Sequence, residues 1–155
     1  MVKNVFKKLG KKQKNNKGFS LVELIVVIAI MAVLVGVLAP QLIKYVEKSR
    51  EATDIQTCDN IATALKTYYA DEEVSASATA ATATVTVTLT TTELGTAADT
   101  AVKDAGLTKA KIKGTKWTND KITIVYDKKD GTIEYTGDSP YYHSDKDQFK
   151  KGPKS

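Results

Sequence analysis

The chain has 155 residues, 42% hydrophobic and 26% charged, which is room for one domain and one anchoring segment. Its formal charge of +5 does not mark a nucleic-acid-binding surface: residues 1–18 hold seven lysines and no acid, and the remainder carries 16 basic and 18 acidic residues, a net of −2. A single cysteine, Cys58, excludes an intrachain disulfide, so an exported domain of this size would depend on its core and on contacts with other subunits.

The lysine-rich head comes first and ends at Lys17-Gly18. Basic residues beside a spanning segment stay on the cytoplasmic side, so the expected orientation is N-terminus in and C-terminus out. An apolar stretch follows from Phe19 to Ala39, 21 residues interrupted by one charge, Glu23. As a helix it measures roughly 31 Å, enough to cross a bilayer. An acid inside such a segment is costly and points to a functional role. An ordinary secretory signal is shorter and lacks the acid; Val37-Leu38-Ala39 mimics its cleavage site, but Pro40 would follow the cut. A plain membrane anchor is the other simple reading.

Helical periodicity continues past the apolar half. Ile55, Cys58, Ala62, Leu65 and Tyr69 recur at spacings of three and four, an amphipathic stripe that Ile61 and Tyr68 widen. Lys44, Glu47, Lys48, Arg50 and Glu51 read as a mixed-charge collar, with an exposed Glu47–Arg50 pair of little energetic weight. The expected helix runs from Phe19 to Ala70. Pro40 removes one N–H from it and Gly36 is a poor helix former, so Gly36 and Pro40 are the expected site of a kink or local melting. Cys58 is expected to be a small buried apolar residue rather than a reactive thiol.

Asp71, Glu72 and Glu73 close the helical pattern. Of residues 75–92, 15 of 18 are Ala, Ser or Thr, which reads as a surface loop. Val85, Val87 and Leu89 alternate with threonines and suit one short exposed strand. Residues 97–105 suit a short helix with Gly106 capping its C-terminus. Ile122–Tyr126 and Thr132–Tyr135 flank a turn at 127–131 and predict a β-hairpin with Gly131 in the turn. Trp117 starts a preceding strand or packs under the sheet. Residues 138–155 are polar and predict a loose tail.

No nucleophile motif, phosphate loop, zinc spacing or dinucleotide fingerprint occurs, so the chain reads as a non-enzyme without cofactor or metal. His143 reads as a solvated loop residue, and Asp138, Asp145 and Asp147 as a solvated acidic loop that matches no calcium-binding pattern.

Lys17-Gly18-Phe19-Ser20-Leu21-Val22-Glu23, followed by an unbroken apolar run to Pro40, resembles the class III signal of type IV pilins and pseudopilins. The close match covers about 24 residues. The resemblance implies cleavage between Gly18 and Phe19 by prepilin peptidase, N-methylation of Phe19, an assembly role for Glu23 and a helix-kinking role for Pro40. The cysteine pair of many Gram-negative pilins is missing, so the chain looks more like a Gram-positive pilin.

The expected fold is therefore α+β: a leader at 1–18, a hydrophobic assembly helix at 19–46, and a head at 47–155 whose helix packs on a small antiparallel sheet. The expected partners are further copies in a helical filament, prepilin peptidase, the pilus assembly machinery and the cytoplasmic membrane before assembly, with no direct nucleic-acid binding. The expected function is the structural subunit of a type IV pilus. The alternatives are a pseudopilin of a type II secretion or competence DNA-uptake system, and a simple membrane-anchored surface protein.

Overall fold

A computed structural model describes residues 18–70 and 84–154. The leader up to Lys17 and the first part of the Thr/Ala-rich loop lie outside the described residues. The chain divides into two compact units, Met1–Pro40 and Gln41–Ser155.

Helix α1 spans Leu21–Tyr69, 49 residues. Its first part is built from Leu, Ile, Val, Ala and Met, and the helix passes through Gly36 and Pro40 without a break. Local melting there is thus not found. A proline keeps a helical φ, so it deletes one bond of the ladder without requiring the helix to open.

In the second unit α1 buries one face, comprising Glu47, Glu51, Asp54, Cys58, Ile61, Ala62, Leu65 and Tyr69. The predicted apolar stripe is there, with Ile55 and Tyr68 partly buried against the core. The charged collar is corrected: Glu47, Glu51 and Asp54 continue the same stripe inward, and only Arg50 of the Glu47–Arg50 pair is substantially exposed.

The sheet that covers this face has three antiparallel strands in the order β1-β2-β3: β1 Thr84–Leu89, β2 Ile122–Asp127 and β3 Ile133–Thr136. Val85 faces Tyr126 and Val87 faces Ile124, while Ile124 faces Tyr135 across the other ladder. The register puts Val85, Val87 and Leu89 on the buried side, with the threonines between them outward. β1 is therefore not the exposed strand its composition suggested. Its alternation, paired with β2, buries half its side chains.

The β2–β3 hairpin forms where predicted. Gly131 takes φ +69° and donates to the Asp127 carbonyl, closing a turn that a side chain would strain. Residues 95–107 form two short helical pieces rather than one helix: a 3₁₀ turn at Gly95–Ala97 and α2 at Thr100–Asp104. Asp99 caps α2 through Ala101 N–H at 3.0 Å, and Gly106 ends it at φ +72°.

The polar tail is a second correction. Residues Tyr142–Asp145 (β4) and Gln148–Lys151 (β5) pair antiparallel into a hairpin. Two aromatic contacts hold it to the core: Phe149 lies 5.7 Å from the Trp117 ring and 5.1 Å from the Tyr135 ring. His143 is half-buried and bonds the Gly152 carbonyl through Nδ1 at 2.8 Å, so it is not a free loop residue. Asp145 pairs with Lys150, which together with their hydrogen bond holds its carboxyl below the usual range.

Candidate functional site

In the first unit the sequence from Gly18 to Glu23 builds a helix start. Ser20 stands at the N-cap. Its hydroxyl accepts from Val22 N–H at 3.3 Å, and Glu23 reaches back so that its Oε2 accepts from Ser20 N–H at 2.8 Å. This reciprocal pairing is a capping box, spelled Ser-x-x-Glu three residues apart. Glu23 stood out in the sequence as a costly acid inside an apolar segment, while its local partner went unread, although the signal is present in Ser20-Leu-Val-Glu23.

The capping bond has a geometric consequence. The Glu23 carboxylate is folded back to within hydrogen-bond distance of the nitrogen of residue 20, immediately after the Phe19–Ser20 bond. The nitrogen of Phe19 is an uncharged amide in the intact chain, and a cut before it would make it a cationic amine one residue from the group that Glu23 binds.

Among the described residues, no heavy atom lies within 4 Å of where a Cβ would be at Gly18 or Gly36, and neither takes a left-handed φ. Phe19 is 92% exposed, and eighteen large apolar residues of α1 from Leu21 to Val46 are exposed with it. The described chain has one helix long and apolar enough to cross a membrane, and none of its apolar window is buried. An apolar surface of this extent marks contact with lipid or with other protein.

The second unit carries a different set of polar groups, on α1 at positions 47, 51 and 54. Asp54, fully buried, accepts three N–H groups: Lys113 and Gly114 at 2.7 Å each and the Trp117 indole at 2.9 Å. Glu47 accepts from Thr115 N–H and lies 3.7 Å from Arg50. Glu51 meets the Ser139 hydroxyl at 2.5 Å. Three successive backbone amides of the 113–115 segment thus end on helix carboxylates, and a fourth tie reaches Ser139 in the loop before β4. Burial raises the Glu51 carboxyl from its ordinary value; the Ser139 hydroxyl bond opposes it, and the neighbouring Glu47 and Asp54 charges add smaller upward pushes.

Two further ties close the head. Tyr135 meets Asp59 at 3.1 Å, and Tyr69 meets Asp99 at 3.2 Å while stacking on Tyr126 at 5.7 Å. Burial first, then the Asp99 charge, pushes the Tyr69 phenol up to about 12. Cys58 is fully buried, as expected from its place on the stripe, and burial raises its thiol strongly. Among the described residues no group of three metal-ligating side chains comes together.

Residues 13–39 match the family described as the prokaryotic N-terminal methylation motif. Over 70 residues the chain is 40% identical to the prepilin peptidase-dependent protein A of Clostridium perfringens (strain 13 / Type A), covering 43% of this chain and 49% of that protein. The chain thus spans about half the length of the curated relative it matches. No solved structure matches it.

Proposed function

We propose that this chain, a type IV pilin-like prepilin, is the structural subunit of a type IV pilus. It would be stored in the cytoplasmic membrane, N-terminus in and C-terminus out, and polymerised into a surface filament through its N-terminal helix. The observation that carries this reading is the helix start at Ser20–Glu23 joined to an exposed apolar helix face.

Prepilin peptidase would cut between Gly18 and Phe19. Gly18 fits that role because, among the described residues, nothing requires a glycine there. N-methylation would fall on the Phe19 amine. Glu23, already turned toward the chain start, would pair with an amine: its own in the membrane, a neighbour's in the filament. An unpaired carboxylate in lipid costs about 2–3 kcal/mol at the centre of a bilayer and less near the interface. Removing one member of a desolvated pair leaves the other uncompensated, which penalises wrong axial register.

Assembly would move the face from Leu24 to Val46 from lipid onto other subunits' helices, so that apolar surface never meets water. Gly36 would permit close approach by a neighbouring helix, and Pro40 would be the position at which the ladder yields on packing. Repetition of one head-to-tail contact that does not close makes a filament. The head would then face outward and set adhesion, motility or biofilm behaviour.

Glu23→Ala tests the assembly role. The expected result is a correctly cleaved subunit that stays in the membrane fraction, with sheared filaments lost. Normal filament yield from Glu23→Ala cells would overturn it.

A further inference from the structure

The two edges of the three-stranded sheet differ. On β3 the backbone groups that turn away from the sheet are taken: Tyr135 N–H donates to the Lys146 carbonyl at 2.7 Å, and just past the strand the Gly137 carbonyl accepts Ser144 N–H at 2.9 Å. The opposite edge is β1.

The ladder decides which groups β1 turns toward that edge. Each strand residue points its N–H and C=O to one side, and successive residues alternate. Asp127 N–H donates to the Thr132 carbonyl on the β3 side, so Ile122, Ile124 and Tyr126 turn theirs toward β1. Their partners there are Leu89, Val87 and Val85. The backbone groups of Thr84, Thr86 and Thr88 therefore aim at the open edge. Just beyond, the Thr90 carbonyl takes Ile112 N–H at 2.9 Å, and the next two amides, Lys113 and Gly114, leave for Asp54. Among the described residues no hydrogen bond reaches the edge-facing backbone groups of Thr84, Thr86 or Thr88.

An open edge is a template for another strand, and proteins commonly blunt it with proline or charge. Residues 84–92 contain neither. The segment Thr84-Val-Thr-Val-Thr88 also reads the same in both directions. A second copy laid antiparallel and centred on Thr86 sets Thr86 against Thr86 and Thr84 against Thr88 on the exposed face. Val85 then meets Val87 on the buried face. Such Thr–Thr and aliphatic pairs stabilise a ladder, and no like charges oppose one another. This self-complementarity identifies the occupant as another β1.

We propose that β1 of one copy pairs edge to edge with β1 of another, antiparallel about Thr86, joining two three-stranded sheets into one. A two-fold contact of this kind is isologous and closes on itself, whereas a filament grows by a heterologous contact. The pairing therefore joins heads on two neighbouring filaments, a placement that rests on the pilus reading while the strand pairing itself does not. One pairing is small, but filaments repeat it along their length, so that weak contacts act together.

The test is thiol cross-linking of the purified full chain in detergent, with Cys58 left in place because it is buried. The linker is chosen too short for the roughly 14 Å between two Thr84 positions, four residues of strand at about 3.4 Å each. Thr86→Cys copies should link into dimers. Thr84→Cys copies alone should not, and a mixture of Thr84→Cys with Thr88→Cys should. Thr88→Pro, which deletes an edge-facing N–H and spares the bonds to β2, should lower the Thr86→Cys yield at least tenfold. No dimer at Thr86→Cys, equal linking at Thr84→Cys, or a yield that Thr88→Pro leaves unchanged would overturn the proposal. If Thr88→Pro disturbs the head, seen as a shift in the emission of Trp117, the register of linking decides alone. On cells, wild-type filaments should run in bundles and Thr88→Pro filaments singly; wild-type filaments that never bundle would overturn the placement between filaments. Absence of any wild-type filament would count against the pilus reading, and the cross-linking result would still decide the pairing.

Discussion

Gly114→Ala places a methyl group at the point where the head is most crowded. Its Cβ would lie 2.7 Å from Glu51 Cγ, 2.9 Å from Asp54 Oδ2 and 2.9 Å from Trp117 Nε1. All three are closer than carbon tolerates, and the last two are held by the hydrogen bond between them. The backbone cannot retreat freely, because the N–H groups of 113, 114 and 115 are each fixed to a helix carboxylate. Overpacking of this kind costs about 1–3 kcal/mol, and loss of one bond to a charged acceptor adds about 1.5–3 kcal/mol. The expected total is about 3–5 kcal/mol, a large part of the roughly 5–15 kcal/mol that stabilises a domain. At about 4 °C per kcal/mol for a unit of this size, the midpoint should fall by roughly 12–20 °C. Trp117 emission during thermal unfolding reads it directly. Gly36→Ala is the control, since no heavy atom approaches its Cβ position and the head midpoint should not move. A Gly114→Ala midpoint within a few degrees of wild type would refute the packing argument.

Asp54→Asn retains the shape but turns an amide toward three N–H donors that now have fewer acceptors. The expected loss is about 3 kcal/mol or more, read as a lowered unfolding midpoint and a shifted Trp117 emission. Cys58 should resist alkylation in the folded chain at pH 8 and react only with denaturant, because burial both shields the thiol and disfavours the thiolate. Rapid modification without unfolding would contradict its position on the core stripe.

The sequence was most readable where one periodicity held within a short window. The Cys58–Tyr69 stripe and the hairpin around Gly131 are such places, since local spacing and one turn residue determine them. The acids at 47 and 51 were misread, and Asp54 went unassigned, for a physical reason. They keep the three-and-four spacing of the stripe, but a charged residue is assigned to solvent unless its partners are visible. Those partners lie 59 to 88 residues away and are mostly backbone N–H groups, which carry no mark in the sequence. The burial of β1 failed in the same way, because the half-buried face depends on β2, 33 or more residues on. The β4–β5 hairpin had little apolar alternation to announce it, and its anchors are two aromatics, Tyr142 in the core and Phe149 against Trp117 and Tyr135. At the N-terminus the motif was legible, while the capping role of Ser20 and Glu23 was masked by the lone charge of Glu23 in an apolar segment, which reads as a membrane or assembly feature before it reads as a cap.

The central claim is that the finished subunit begins at Phe19, two residues before α1, with a charged amine close to the capping acid. N-terminal sequencing and mass determination of the protein extracted from cells test it most directly. A chain beginning at Phe19, heavier by one methyl group at that residue, is the expected result. A chain that still begins at Met1 would contradict the account and leave α1 as a simple anchor.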